Sequence, residues 1–203
     1  MGYTAYLSGL SLAPRVISCL VMLCFIDKLV AKFDNRILIA IGFGLIGLST
    51  YYYTNLTLMT SFGYIVFPNV ILGVGVILTF IPISGLVLGT LPKSELSNGA
   101  GLHSLAKCVA TVLSVSLSST MVARLSQVHQ TYLVSNLSNT NPVFFHRLSV
   151  MTHKFMIGLP EITAMHKASA VYYKQLIVQS KIFAYADVFA IFALIAFCMM
   201  PLG

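Results

Sequence analysis

Three ionisable side chains interrupt apolar stretches that otherwise carry almost no charge. They are Arg15, Lys107 and Asp187. Because an ionisable group is costly in hydrocarbon, such residues usually mark a substrate path or a paired site. Arg15 lies deep in its stretch, which favours a water-lined cavity or a buried partner. Lys107 and Asp187 lie nearer the ends of theirs, where snorkelling of the side chain to the membrane surface is an equally good interpretation.

Catalytic and metal-binding patterns are absent from the sequence. It has no HExxH, no GxSxG, no P-loop and no carboxylates paired at helical spacing. Four of the five histidines lie in one long polar stretch without ligand spacing, which favours solvated side chains over a metal site. The four cysteines lie in apolar runs without a CxxC motif and are expected to be buried and inert. We therefore predict no enzyme, no metal and no cofactor.

A short charged segment, residues 27–36 (DKLVAKFDNR), follows the first apolar stretch. An acid at the end of a span, followed within one or two turns by basic residues, can lock two helix ends through ion pairs and the helix dipole. Plain loop charge is the alternative. The predicted gate residues are Asp27, Lys28, Lys32, Asp34 and Arg36.

Glycine and proline recur in the apolar stretches. Gly73 and Gly75 permit close approach of a neighbouring helix, and Pro82 should kink its own helix, as should Pro14 in the first stretch. Flexed helices of this kind are typical of transporters that rock around a central site.

The composition places the chain in lipid. Hydrophobic residues make up 58% of it and charged residues only 8%, whereas soluble domains carry roughly 25% charged residues. The net charge of +7 could indicate nucleic-acid binding. However, no basic cluster with interleaved aromatic residues is present, so basic residues flanking membrane spans explain the charge better. We predict a lipid bilayer as partner and no nucleic acid.

Five stretches reach the length of about 20 apolar residues that a membrane helix needs. They are residues 6–26, 37–56, 64–91, 99–122 and 183–202. The sequence therefore predicts an all-α fold, a polytopic transmembrane helix bundle forming one domain over residues 1–203. Residues 123–182 are predicted to form an extracytoplasmic loop. Within it, residues 165–181 are expected to form an amphipathic helix with Tyr173, Leu176 and Ile177 on one side.

Loop charge gives conflicting indications of sidedness. Residues 27–36 hold three basic side chains and the long loop holds six, yet alternation puts the two segments on opposite sides of the membrane. Because loops near roughly sixty residues escape the positive-inside rule, the short segment should decide. We therefore place residues 27–36 in the cytoplasm.

Five stretches of sequence carry a resemblance to a known family. They are GYTAYLSGLSLAPRV (residues 2–16), DKLVAKFDNR (27–36), ILGVGVILTFIPISGLVLGTLP (71–92), SNGAGLHSLAK (97–107) and QSKIFAYADVFAIFALIAF (179–197). In motif, order and spacing the chain resembles the C-terminal part of the EmrB/QacA-type drug:proton antiporters. These form the fourteen-helix branch of the major facilitator superfamily.

The resemblance implies a function and a set of partners. It implies a fragment or subunit of a proton-coupled multidrug efflux transporter that exports amphiphilic compounds from the inner (cytoplasmic) membrane. The last five helices of the family have counterparts here. The N-terminal half and the first helix of the C-terminal bundle do not, so we expect no activity alone and a partner that supplies the missing half. A periplasmic adaptor protein is a further expected partner.

The resemblance also assigns residues. Substrate-cavity candidates are Arg15, Lys107, Thr111 and Ser114, and Asp187 is expected to anchor the last helix. Two departures stand out: Lys107 replaces the family's arginine and so loses its planar fork, and Thr111 and Ser114 stand where the family has glycines. Two alternatives remain. One is a non-functional remnant or structural membrane subunit without transport. The other is a membrane enzyme or small channel, for which the sequence shows neither a reactive cluster nor a polar pore lining.

Overall fold

The computed structural model describes residues 5–55, 62–92, 94–135, 149–153, 155–156 and 160–202. These residues form five long helices and no strand. The helices are α1 (Ala5–Lys32), α2 (Asn35–Thr54), α3 (Phe62–Gly89), α4 (Leu96–Ser135) and α5 (Glu161–Met199), and a 3-10 turn follows at Met200–Leu202. Residues 149–153 are also helical. The predicted all-α fold is confirmed.

All five helices are long and apolar enough to cross a membrane. The most apolar is α3, whose best window reaches a mean hydropathy of 2.5, and the shortest is α2 with 20 residues. About 20 residues suffice to cross a hydrocarbon layer of roughly 30 Å. The prediction of several membrane-spanning helices is therefore confirmed by the length and apolar composition of these helices.

The chain divides into two compact units. One comprises Met1–Ser118 together with Ala186–Gly203, and the other comprises Ser119–Tyr185. In the first unit, α3 packs against both α1 and α2. Its buried centre is one side chain from each of the three helices: Ile26, Leu38 and Leu78. The most apolar helix, α3, thus packs against both α1 and α2.

Glycines set how closely α2 and α3 approach. A Cβ added to Gly75 would lie 3.1 Å from the carbonyl oxygen of Gly42 and 3.0 Å from the side chain of Ile46. A Cβ added to Gly42 would overlap the hydroxyl of Thr79. Since lipid gives no hydrophobic drive to join helices, such close packing between small residues is a main source of their association.

A second glycine crossing joins α1 to α3. A Cβ added to Gly73 would lie 2.6 Å from the carbonyl oxygen of Arg15 and would overlap the hydroxyl of Ser18. The thiol of Cys19 donates to the carbonyl of Gly73 across the same crossing, at 3.4 Å. Gly73 and Gly75 therefore lie at contacts between helices, and the expectation that they also let α3 flex stays a prediction.

Side-chain hydrogen bonds reinforce these crossings where prolines lie in α3. The buried hydroxyl of Ser49 on α2 donates to the carbonyl of Pro68 at 2.7 Å. The side-chain amide of Asn69 donates to the carbonyl of Ser11 on α1 at 3.1 Å. Helix α3 continues through both Pro68 and Pro82, and α1 continues through Pro14.

The end of α5 packs on α2 within the first unit. The rings of Tyr53 and Phe189 lie 5.2 Å apart, centroid to centroid. A Cβ added to Gly47 would lie 3.1 Å from the ring of Phe197. Gly47 on α2 thus makes room for the ring of Phe197 on α5.

In the second unit, the last part of α4 meets the first part of α5. The side-chain amide of Gln130 donates to the hydroxyl of Tyr173 at 2.9 Å, and the rings of His129 and Phe183 lie 5.7 Å apart. The buried positions of α5 recur at multiples of four residues and are mostly small: Ala164, Ala168, Leu176, Ser180 and Ala184. Neighbouring positions of this series lie one or two turns apart, so these residues follow a slanting ridge along this part of α5.

Much of the predicted loop at residues 123–182 is helical. Helix α4 continues past the predicted end at residue 122 to Ser135, and α5 begins at Glu161, ahead of the predicted span. With 40 residues, α4 has about twice the length needed to cross the hydrocarbon. Polar helix outside the membrane escapes a hydropathy scan, because only the part in lipid must be apolar.

Two smaller expectations also differ from the structure. The predicted amphipathic helix of residues 165–181 lies inside α5, where Leu176 is buried but Tyr173 is exposed, because small residues form the packed face. Only Cys19 is partly buried, whereas Cys24, Cys108 and Cys198 are exposed on the chain's surface. Apolar sequence around a cysteine does not imply burial in protein when lipid is the solvent.

The crossing of α2 and α3 can be tested with one substitution and a matched control. We expect Gly75→Leu to destabilise the purified chain by about 1–3 kcal/mol, as overpacking does. Gly85→Leu on the same helix should be nearly neutral, since nothing lies within 4 Å of a Cβ there. Apparent Tm values in detergent, followed by circular dichroism, compare the two variants. Equal Tm values would show that the crossing does not constrain the fold.

Candidate functional site

A cavity of about 260 Å³ opens in the first unit, between α3 and α4 with one side chain from α2. Its apolar wall consists of Ile46, Val76 and Ile83. Its other lining residues are Thr79, Phe80, Ser84, His103 and Lys107. We call this cavity the α3–α4 pocket. An apolar pocket with a few converging polar groups is the usual form of a small-molecule site.

Lys107 faces the aromatic wall of this pocket. Its Nζ lies 4.6 Å from the centroid of the Phe80 ring, inside the roughly 6 Å range of a cation–π interaction. The ring face offers partial negative charge to an ammonium group that lies within an apolar stretch. Lys107 is itself exposed on α4, so its role in a substrate cavity stays a prediction.

His103 lies one helical turn before Lys107 and lines the same pocket. Residues four apart share a helix face, so the two basic side chains point the same way. The Nε2 of His103 lies 3.5 Å from the hydroxyl oxygen of Ser84 on α3. Sequence reasoning treated the four histidines of the predicted loop as solvated, and it assigned no role to His103 or Phe80. The spacing of four between His103 and Lys107 was the available signal.

The remaining hydroxyl of the pocket belongs to Thr79, which donates to the carbonyl of Gly75 at 2.9 Å. This bond occupies the donor of Thr79 and leaves Ser84, His103 and Lys107 as the side chains able to donate to a bound molecule. No acidic residue is among the described lining residues. The arrangement suits binding of an amphiphile rather than covalent chemistry.

Arg15 does not join Lys107 in this pocket. It is partly buried on α1, and its carbonyl oxygen accepts a hydrogen bond from Ser18 at 2.8 Å. A second cavity of about 430 Å³ lies nearby between α1 and α3, lined by Pro14, Ser18 and five apolar residues, but not by the Arg15 side chain. The predicted cavity candidates are therefore spread over two helices.

Thr111 and Ser114 are exposed on α4 and do not line the pocket. Their hydroxyls donate to carbonyls of the preceding turn: Thr111 to Lys107 at 2.8 Å and Ser114 to Ala110 at 2.7 Å. Bonds of this kind satisfy a hydroxyl within its own helix. Both side chains can consequently stand on a lipid-exposed surface without another partner.

The predicted gate residues flank the junction of α1 and α2. Asp27, Lys28 and Lys32 lie in the last turns of α1, Asp34 precedes α2, and Arg36 lies in its first turn. All five are exposed, and no ion pair joins them in the part of the chain that the structure describes. Asp187, the predicted anchor, is partly buried on α5. The gate and anchor roles stay predictions.

The curated proteins that are similar to this chain are named for drug export, transport or resistance. The chain is 23% identical over 186 residues to the colistin resistance protein EmrB of Acinetobacter baumannii. It is 27% identical over 153 residues to the probable multidrug resistance protein EmrY of Escherichia coli. Identity to the multidrug export protein EmrB of Escherichia coli is 28% over 143 residues. No family model and no solved structure matches the chain.

These matches cover most of this chain but a minority of each relative. They take in 90%, 74% and 70% of the chain, and 36%, 30% and 28% of the respective relatives. The chain thus spans about a third of the length of the curated relatives it matches. Several independent matches and five apolar helices agree with the motifs in the sequence. The predicted resemblance is confirmed: the chain is similar to part of an EmrB-type drug transporter of the major facilitator superfamily.

Proposed function

We propose that this chain is part of a proton-coupled efflux transporter that exports amphiphilic compounds across the inner membrane. The α3–α4 pocket is its contribution to the substrate path. The observation that carries this proposal is the position of Lys107 over the Phe80 ring, which places a charged group at the edge of an apolar cavity. The names of the relatives, which describe multidrug export and resistance, support the same function.

The pocket offers a weak and adaptable site. Its wall is mostly apolar, so it binds by excluding water or lipid, while three donors select the orientation of a polar group. A transporter must release what it binds, so few fixed polar contacts are an advantage. The glycine crossings of α3 keep α1, α2 and α3 together as one body that moves as a unit.

Partner helices complete the proposed machine. The chain spans about a third of its relatives' length, and a path between two helical bundles needs the second bundle. We propose that helices outside this sequence supply that bundle together with the carboxylates for proton coupling. A periplasmic adaptor would extend the export path. The chain alone is expected not to transport.

The gate residues would act at the cytoplasmic face in this scheme. Charges at the end of α1 and the start of α2 lie close in sequence and exposed, ready to pair with charges of the partner bundle. Making such pairs closes the inner side, and breaking them opens it. Each exposed pair contributes only about 0.2–1 kcal/mol, which suits a reversible latch.

Efflux measured with and without the partner segment tests the proposal. Cells making this chain together with the matching N-terminal part of an EmrB relative should accumulate less of a fluorescent amphiphile than cells making either alone. Lys107→Leu in the same pair should abolish most of the difference, because the pocket loses its charge. Unchanged accumulation in the paired cells, with both chains present in the membrane, would favour a structural subunit without transport.

The gate proposal makes its own prediction in the paired cells. Replacing Arg36 with Gln should slow efflux by up to about fivefold, the effect of losing one exposed ion pair. The same substitution at Arg124, exposed on the polar part of α4, provides the control and should leave the rate unchanged. Equal rates for the two variants would assign the charges of residues 27–36 to an ordinary loop.

A further inference from the structure

We propose that one exposed face of α5 is a docking surface for an acidic helix of another protein. The face is marked by Lys167, Lys174 and Lys181, which lie in the part of α5 that belongs to the second unit. We call it the lysine face. The inference does not depend on transport, because a structural membrane subunit would carry the same surface.

The three lysines are aligned along the helix. They are seven residues apart, and seven residues of a straight α-helix fall only about 20° short of two full turns, so the three positions stay within roughly 40° of arc. At a rise of about 1.5 Å per residue they extend over about 21 Å of helix. All three side chains are exposed. The lysine face is therefore a straight row of positive charge on the surface of the chain.

Apolar residues occupy the positions between the lysines on the same face. Three and four residues after Lys167 come Ala170 and Val171. The same step from Lys174 reaches another apolar pair at residues 177–178. Residues at these spacings share one helix face, and none of the four apolar side chains is fully buried. Alternation of charged and apolar residues at intervals of three and four is typical of a helix that packs along another helix.

The second unit holds almost no acid that could pair with these lysines. Its sequence, residues 119–185, contains six basic residues and one acidic residue, Glu161. Among the described residues, no ion pair to any of the three lysines is found. Opposite charges across an interface steer the encounter and fix its register. A partner that carries acidic side chains at the same spacing would therefore complement the row.

Two other occupants fit the row less well. Lys181 lies just before the predicted span that begins at residue 183, whereas Lys167 lies about 21 Å farther along the continuous helix. Because a headgroup layer is only about 5–8 Å deep, an anionic membrane surface would reach the nearest lysine and not the farthest. A second copy related by two-fold symmetry would bring lysine against lysine. A helix that runs along α5 reaches all three.

Designed peptides that differ only in charge or spacing test the lysine face. Each is a soluble helix of three heptads. The first has Glu at every seventh position with Ala and Leu between, the second has Gln in place of Glu, and the third has the composition of the first with its Glu residues on three different faces. The purified full chain, in nanodiscs of zwitterionic lipid, is titrated with each labelled peptide, and binding is followed by fluorescence anisotropy.

We expect the first peptide to bind about tenfold more tightly than the other two, because three exposed ion pairs together supply about that factor. Equal affinity for the first and third peptides would indicate general attraction of charge without a docking face, and would overturn the proposal. Absence of binding by all three peptides to the folded chain would overturn it as well.

Substitutions locate the binding on α5. Lys167→Gln, Lys174→Gln and Lys181→Gln together should remove the preference for the first peptide. Arg at the same three positions is the matched control and should retain the preference, because it alters the same exposed side chains and keeps their charge. Circular dichroism checks that both variants are folded. A preference that persists in the folded Gln variant would contradict the proposal.

Vesicles of phosphatidylglycerol distinguish a helix from an anionic membrane as the occupant. The nanodiscs are mixed with these vesicles, which are then floated by centrifugation. We expect the unmodified chain and the Gln variant to float to the same extent. Flotation that the Gln substitutions abolish, together with equal affinity for the three peptides, would assign the lysine face to a membrane surface and overturn the helix proposal.

Discussion

Hydrocarbon offers a polar group neither a hydrogen bond nor a counter-charge, and this constraint determines where the polar side chains of the chain lie. Ser49 and Asn69 donate to carbonyls of neighbouring helices, so their polar groups also hold helices together. Thr111 and Ser114 on exposed α4 instead donate to carbonyls of their own helix. Lys107 lies against the Phe80 ring. In each case the protein itself provides what water would provide elsewhere.

The same constraint explains why α3 organises the first unit. Apolar side chains gain nothing by leaving lipid for another helix, so association depends on close packing and on internal hydrogen bonds. Gly73 and Gly75 bring the backbones of α1 and α2 against α3. The resulting three-helix body positions Phe80 and Ser84 on the side where α4 brings His103 and Lys107. Packing at the glycines thus positions the residues of the candidate site.

The sequence was sufficient to predict the helices in lipid, because an apolar stretch of about 20 residues is a strong signal. It also drew attention to Lys107, since a charge inside such a stretch is costly, and the role of Lys107 stays a prediction. The sequence could not identify Phe80 and His103 as pocket residues, because the role of each depends on side chains of the helix that faces it. It could not predict the full lengths of α4 and α5, since their ends are polar and carry no membrane signal. Arg15 is the opposite case, because it lies deep in a predicted span but does not line the α3–α4 pocket.

Extraction of membranes tests most directly whether lipid surrounds most of these side chains. Membranes from cells that make the chain are washed with alkaline carbonate and then treated with detergent. We predict that the chain stays in the membrane pellet through the wash and is released, still helical, by detergent alone. A chain recovered from the wash as a folded monomer in plain buffer would contradict it.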